Sequence, residues 1–498
     1  MTSHNGKGTF ALLLRLLCKL TWLIGSSSLT ASIQILDDDS LLNVFHLYRP
    51  FLFGEDEDND SDSRHVGGLK EWDRGRWWHK LSHVCQRWRS IILGSASYLG
   101  ISLVCTIGTP VADVLAHSPL LPLTIDYFLD HGISAEDEDG VILALKQHDR
   151  VRHVRLRMPS TSLQKLVLAM DDEYPILEYL IIGHPDEDSR TVLKFPETLR
   201  APHARHLTLG GLTLPVGSRL LTSAVGVVTL YLFMSNPFTH FHPNTLLRWV
   251  SSMPQLEILL VGFVFAVPNH DIERQLMRMP VTPVTLPNLR VFRFQGVRTY
   301  LEAVVHQITA PRLEKLGIRL FDELTFSVPR LLQFLNTTDN LRFKSAKFKF
   351  FDEEVDVELY PCEGAKTHTL AITVTCCHLD RQVSSTAQIF NSLSPILSAV
   401  GHLTLEHNQS PEEYNDADRT QWRKLLKSFK NVKTLRIVNG LAKELSCCLK
   451  LDDGEPPLEV LPELQELTYS GSGNTGDALT SFIDSRRSTG HPITLIRS

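Results

Sequence analysis

From about residue 150 onward, one short pattern of apolar and polar positions recurs along the chain. Stretches such as PNTLLRWVSS, LEAVVHQI and RTQWRKLLKSF carry apolar residues three and four apart, the spacing of a packed helix. Each gives way to a Pro, Asn or small residue and then to a core of LExLxI type. That core alternates apolar and polar at period two, as a half-buried strand requires. The cores lie in DRVRHVRLRM, YPILEYLIIG, PHARHLTLGG, AVGVVTLYLF, MPQLEILLVG, LPNLRVFRFQ, APRLEKLGIR, DNLRFKSAKF, THTLAITVTC, AVGHLTLEHN, FKNVKTLRIV and LPELQELTYS. Equivalent positions are Val154, Leu180, Leu207, Leu230, Leu259, Phe292, Leu316, Phe343, Leu370, Leu403, Leu435 and Leu467, spaced 23 to 33 residues apart.

One strand and one helix cannot hide their own apolar faces, but a stack of such units can. The pattern therefore predicts an α/β fold over 151–498: an irregular leucine-rich solenoid of parallel strands joined by crossover helices. A Pro before the strand ends the helix without removing a needed ladder donor. The asparagine ladder of a regular repeat is absent, so the units are degenerate.

The first 150 residues have a different texture. Residues 1–30 include FALLLRLLCKLTWLI, which Arg15 and Lys19 interrupt. Each of those cations would cost roughly 2.5–3.5 kcal/mol at mid-bilayer, so an amphipathic or poorly ordered segment is expected rather than a membrane span. Residues 31–100 are helical in pattern and rich in tryptophan, with an acidic insert at about 54–70 that has little to bury. In LDDDSLLNVFHLY, Asp37 or Asp38 can cap a helix whose apolar face holds Leu41, Leu42, Phe45 and Tyr48. In WWHKLSHVCQRWRSIIL, Trp78, Leu81, Val84, Cys85, Trp88 and Ile92 fall mostly three or four apart. Residues 101–150 read as a linker or capping region with a helix-like VADVLAH and a polar AEDEDG that reads as a solvated loop.

On those residues, the N-terminal module resembles an F-box, in the form found in large fungal families of F-box proteins with degenerate leucine-rich repeats. Leu36, Asp37, Asp39, Leu42, Val44 and Phe45 occupy its opening helix, and Trp78, Val84, Cys85, Trp88 and Arg89 its second half. Asp37 stands where the motif has proline, and the acidic insert splits the box. The resemblance implies a substrate-recognition adaptor that docks the small adaptor subunit of a cullin-RING ubiquitin ligase and holds an unknown protein substrate on the repeats. The expected docking residues are Leu41, Leu42, Phe45, Trp78, Leu81, Val84 and Trp88, some of which must instead form the core of the box. The alternative is a non-catalytic protein-binding scaffold with no ligase connection.

Composition narrows the remaining classes. Hydrophobic content of 43% with 21% charged residues belongs to an ordered chain. A net charge of −6 gives no basic surface for nucleic acid, so no nucleic-acid partner is expected. Eight scattered cysteines fit reduced thiols and a cytoplasmic or nuclear protein. No metal, cofactor or catalytic residue is expected. GSGNTG at 471–476 lacks the Lys-Ser/Thr of a phosphate loop, and His153, His206 and His402 occupy equivalent strand-surface positions. Arg150, Arg152, Arg155 and Arg157 form the best polar feature, either a solvated edge of the first repeat or a substrate-facing basic patch for an acidic or phosphorylated partner.

Overall fold

The structure is a computed structural model that describes residues 36–48, 77–129, 131–184, 193–235, 239–264, 283–321, 327–338, 340–407, 419–438, 441, 445, 448–449, 459–470 and 475–497. The apolar stretch 10–24, the whole of the acidic insert at about 54–70 and most of GSGNTG lie outside these residues. The chain divides into two compact units, residues 1–127 with 133–154, and residues 128–132 with 155–498.

The first unit opens with helices α1 (Asp38–Tyr48), α2 (Trp77–Ser82), α3 (Gln86–Gly94) and α4 (Ala96–Leu99). Asp37, not Asp38, caps α1: its carboxylate accepts the Ser40 amide at 2.6 Å, which holds its pKa below the ordinary carboxylate value. Asp38 instead receives Arg87 of α3, whose guanidinium also reaches the Leu36 carbonyl at 2.6 Å and ties the two helices. Gly100 ends α4 with φ 61°, the left-handed conformation that costs glycine nothing.

Residues 101–150 are not a linker: the strand–helix pattern begins there. Strand β1 (Leu103–Cys105) and helix α5 (Val111–His117) are followed by β2 (Leu123–Phe128) and α6 (Ala135–Leu145). β1 and β2 pair in parallel, Leu103 opposite Leu123. The AEDEDG segment is the first turn of α6 rather than a loop. Ser134 caps it by accepting the Asp137 amide, and the acidic residues sit where a helix N-terminus favours them. β3 (Val151–Arg157) starts in the first unit and ends in the second.

In the second unit, α7 (Ser160–Leu168) leads to β4 (Tyr179–Gly183), the short β5 (Leu193–Lys194), β6 (His206–Gly210) and the short β7 (Leu212–Thr213). Then follow α8 (Arg219–Ser223), β8 (Thr229–Met234), α9 (Pro243–Ser251), β9 (Ile258–Phe263), the short β10 (Val284–Thr285) and β11 (Val291–Gly296). After α10 (Arg298–Val305), the short β12 (Ile308–Thr309) and β13 (Lys315–Leu320) come α11 (Pro329–Asn336), β14 (Ser345–Phe350), β15 (Glu354–Tyr360) and β16 (Leu370–Thr375). The run closes with α12 (Leu379–Leu393), β17 (His402–His407), α13 (Arg419–Lys427), β18 (Thr434–Val438), β19 (Glu466–Tyr469), α14 (Thr475–Ser488) and β20 (Thr494–Arg497).

Within this unit the sheet order is β4-β6-β8-β9-β11-β13-β16-β15-β14-β17-β18-β19-β20. Leu180, Leu207, Leu230, Leu259, Phe292, Leu316 and Leu370 stand opposite one another in one row, and Leu403, Leu435, Leu467 and Leu495 continue it. The second unit is thus a solenoid-like stack of leucine-rich strand–helix modules, with the apolar row buried from Leu180 to Leu467 and exposed only at its last member, Leu495.

One stretch departs from chain order. β13 neighbours β16, while β15 runs antiparallel between β16 and β14. The row there runs through Leu359 and Ala346, so Phe343 is not the core position that its sequence suggests. Leu341 and Phe343 are buried in the segment that carries the chain past the ends of two intervening strands.

Polar contacts stitch successive repeats. Asn288 donates to the Pro254 carbonyl, Asn340 to that of Pro311 and Asn431 to that of Ser398, at 3.0, 3.2 and 2.5 Å. This is a sparse asparagine ladder, placed in the turn before the strand. The carboxylate of Glu302 on α10 accepts the Arg330 and Leu331 amides, both at 2.9 Å, and so caps α11 from the preceding repeat.

Candidate functional site

Two surfaces carry candidate functional residues, one in each unit. In the helical module, Leu41, Phe45, Trp77, Trp78, Leu81, Ile92 and Leu99 are buried. Phe45 meets Trp88 edge to face at 4.9 Å between ring centroids, the arrangement the ring quadrupoles favour. Of the residues expected to dock a partner, Leu41, Phe45, Trp78 and Leu81 therefore lie in the module's own core, and Leu42 and Trp88 are half-buried. Val84 is exposed, at 58%. The sequence offered no sign of Leu47, which is 66% exposed at the end of α1; Tyr98, which with Leu99 stands where the F-box resemblance has Leu-Trp, is exposed and its hydroxyl reaches Asn43 at 3.4 Å.

The basic cluster is out of phase with itself. Val151 and Val154 are both buried although three positions apart, so the period-two alternation slips within β3. Arg150 turns its guanidinium to the Leu121 and Pro119 carbonyls, and Arg152 is half-buried. Arg155 and Arg157 stack over the ring of Phe128, with 4.2 and 5.0 Å from guanidinium carbon to centroid.

The more developed surface is the sheet face of the second unit that carries the polar half of each strand. Its middle row reads, strand by strand, Ile181, Thr208, Tyr231, Leu260, Arg293, Gly317, Ala371, Glu358, Lys347, Thr404 and Arg436. The row changes from apolar to charged at β11. Beside it, Phe233 is 39% exposed and lies across Gly262, where an added Cβ would come within 2.7 Å of the ring.

The reversed strand β15 supplies an acidic line, Glu354, Asp356 and Glu358, because every second residue of EVDVELY faces this side. Cations answer it: Arg319 pairs with Glu354 at 3.2 Å and Lys349 with Glu358 at 2.8 Å, while Lys347 pairs with Glu406 at 2.7 Å. Thr373 donates to Asp356 at 2.6 Å and Tyr360 to Glu358 at 2.6 Å. Burial pushes the Glu354 carboxyl up against the pull of Arg319. Burial also raises Glu358, but its bonds from Lys349 and Tyr360 outweigh that and leave it below the ordinary value. His368, in the loop before β16, is held below the usual imidazole value first by burial and then by Arg293, Lys315 and Lys349, against Glu358.

Of the three histidines marked from sequence, His206 and His402 do occupy one edge row of this face, and His402 contacts Glu363 and Thr434. His153 meets Thr124 in the first unit. Among the described residues, no group of three or more His, Cys, Asp and Glu is placed to hold a metal ion, and no helix is long and apolar enough to cross a membrane. The described cysteines are free thiols, with Cys105, Cys376 and Cys448 buried.

No family model matches the chain, and no curated protein matches it. Among solved structures, it is similar to the leucine-rich repeat-containing protein LegL7 from Legionella pneumophila, at 12% identity over 77% of this chain and 97% of that one, with a TM-score of 0.24. It is also similar to TLR13 in a complex with ssRNA13, at 13% identity over 79% of this chain and 49% of that one, with a TM-score of 0.28. The chain's own strand register, rather than these likenesses, defines its fold class as mixed α/β, a stack of mainly parallel, leucine-lined strands.

Proposed function

We propose that this chain is a substrate-recognition adaptor of F-box type, docking the small adaptor subunit of a cullin-RING ubiquitin ligase through its N-terminal helices and holding a protein partner on its repeats. The observation that carries the reading is the closed helical module. Leu41, Phe45, Trp78 and Leu81 fill its interior while Leu47 and Val84 stay exposed, so apolar area remains after the module has satisfied its own core. The resemblance of the same residues to an F-box gives that area an occupant. The adaptor performs no bond chemistry. It raises the concentration of a partner's lysines beside a ubiquitin-charged enzyme, which is a proximity effect. Asp37 supports the box despite replacing proline, because it satisfies the first turn of α1 by capping it.

The test is co-purification of the full chain with the ligase adaptor subunit, comparing wild type with Leu47→Asp, Val84→Asp. Both positions are exposed, so the double variant keeps its fold by circular dichroism and loses the adaptor. Undiminished binding by a folded double variant refutes the docking surface. Failure of the wild type to bind favours a scaffold with no ligase connection.

A further inference from the structure

The leucine row of the second unit ends uncovered. Among the described residues, β20 pairs only with β19, so its other edge carries no strand. All four of its residues are exposed, whereas every other strand of that unit's main sheet buries at least two. Leu495, which follows Leu467 in the row, is 40% exposed, and so is Ile496 on the opposite face. β1, which in the first unit pairs only with β2, is closed by contrast: Leu103 is 5% exposed and Cys105 0%. Backbone geometry decides which groups meet the open edge. The Thr494 amide donates to the Gln465 carbonyl at 2.8 Å, and a strand in a parallel pair bonds its neighbour through every second residue. Thr494 and Ile496 therefore bond to β19. Leu495 and Arg497 turn their amides and carbonyls outward, with Ile493 in the same phase just before the strand.

We propose that β20 pairs antiparallel with β20 of a second copy of this chain, about a twofold axis that passes through Leu495 normal to the sheet. An exposed edge is a template for strand addition, and natural edges are blunted by proline, lysine or a bulge. β20 reads TLIR, continuous in its pairing, and has none of the three. The occupant is a second copy because the strand is complementary to itself. Hydrogen-bonded pairs form only between outward-turned residues, and the register centred on Leu495 engages all of them: Leu495 with its twin, and Ile493 with Arg497 of the second copy. That register keeps the two arginines apart. It sets leucine against leucine, so the buried row runs on into the second copy, and it brings Thr494 opposite Ile496 on the open face. An axis normal to the sheet leaves the open faces of both copies on one side, where a partner with two binding segments engages both. A short strand pair buries less than a standard interface, so the dimer is reversible. The inference does not depend on ligase docking.

The test is sedimentation velocity of the full chain up to about 200 μM, a range that reveals a complex with a Kd of about 100 μM or tighter. Wild type is expected to shift from monomer toward dimer as concentration rises. Leu495→Lys sets two ammonium groups face to face across the axis and is expected to weaken association at least tenfold, as is Leu495→Glu with two carboxylates. Mixed in equal amounts, these two variants are expected to recover a dimer, which shows that both are folded and that position 495 meets itself. Arg497→Pro removes an outward amide while leaving the bonds to β19, and is expected to weaken association as well. A chain that stays monomeric throughout, a dimer indifferent to Leu495→Lys or to Arg497→Pro, growth beyond the dimer, or failure of the mixed variants to pair would each overturn the proposal. The Leu47→Asp, Val84→Asp variant is expected to dimerise normally, which separates a failure here from a failure of ligase docking.

Discussion

Glu302 is the most informative single side chain for how the repeats hold one another. Pro329 begins α11 and has no amide hydrogen, and Val328 before it offers no side-chain cap, so the Arg330 and Leu331 amides depend on the carboxylate of the preceding helix. Glu302→Ala removes both bonds. A hydrogen bond to a charged group contributes about 1.5–3 kcal/mol, and a lost helix cap typically costs about 1–2 kcal/mol. Relief of burying a carboxylate, whose pKa burial raises, offsets part of that. The net expectation is a loss of about 2–3 kcal/mol, concentrated in α11. Amide hydrogen exchange read by mass spectrometry on peptides covering Pro329–Asn336 is the direct assay. A local loss of that size accelerates exchange roughly 30- to 150-fold while leaving β4–β8 protected. A change below about threefold in α11 would refute the role given to Glu302.

Two further predictions rest on the same geometry. Because burial raises the Glu302 pKa in the folded chain, the part of the stability linked to its protonation is fully present below the ordinary value of 4.5 and is lost as pH rises through the folded value, while the bonds from the Arg330 and Leu331 amides persist. The stability advantage of wild type over Glu302→Gln is therefore largest near pH 4 and narrows toward pH 7, as thermal melts of both proteins at the two pH values will show; a gap that widens contradicts the sign. Leu259, fully buried between Leu230 and Phe292, should cost about 2–5 kcal/mol when truncated to Ala, whereas exposed Arg436→Ala should stay within about 0.5 kcal/mol by urea unfolding.

The stack was legible because its cause is periodic. An LxxLxI core every few dozen residues marks a strand with one buried face, and the rows through Leu207, Leu259, Leu316 and Leu435 are read directly from it. Strand order was not legible. Alternation in EVDVELY carries no direction; the three residues between β14 and β15 force that pair to be antiparallel, but nothing in the pattern places β16 beside β13. Phe343 looked like a core residue because it is apolar and buried, but it belongs to the crossing segment and Ala346 takes its place in the row. The early strands were missed for different reasons: β1 is only three residues long, whereas β2 carries an LxxLxI core at Leu120, Leu123 and Ile125 that was legible, as was the helix start at Ser134 followed by acidic residues. The helical module shows the same division: spacing found the apolar positions, but only packing decides that Phe45 is interior while Val84 is not.

The central claim is that a reversed hairpin interrupts a parallel stack and thereby brings Gly317 beside Ala371. Paired cysteines test it directly. Arg319 and Thr373 are cross-strand partners, whereas Arg319 and Lys349 stand three strands apart, about 14 Å, well beyond the roughly 7 Å that a disulfide spans. Under mild oxidation, with linked peptides identified by mass spectrometry, Arg319→Cys with Thr373→Cys should cross-link readily and Arg319→Cys with Lys349→Cys should not. Efficient linkage of the second pair in place of the first would mean that β14 follows β13 in simple chain order, and the account would be wrong.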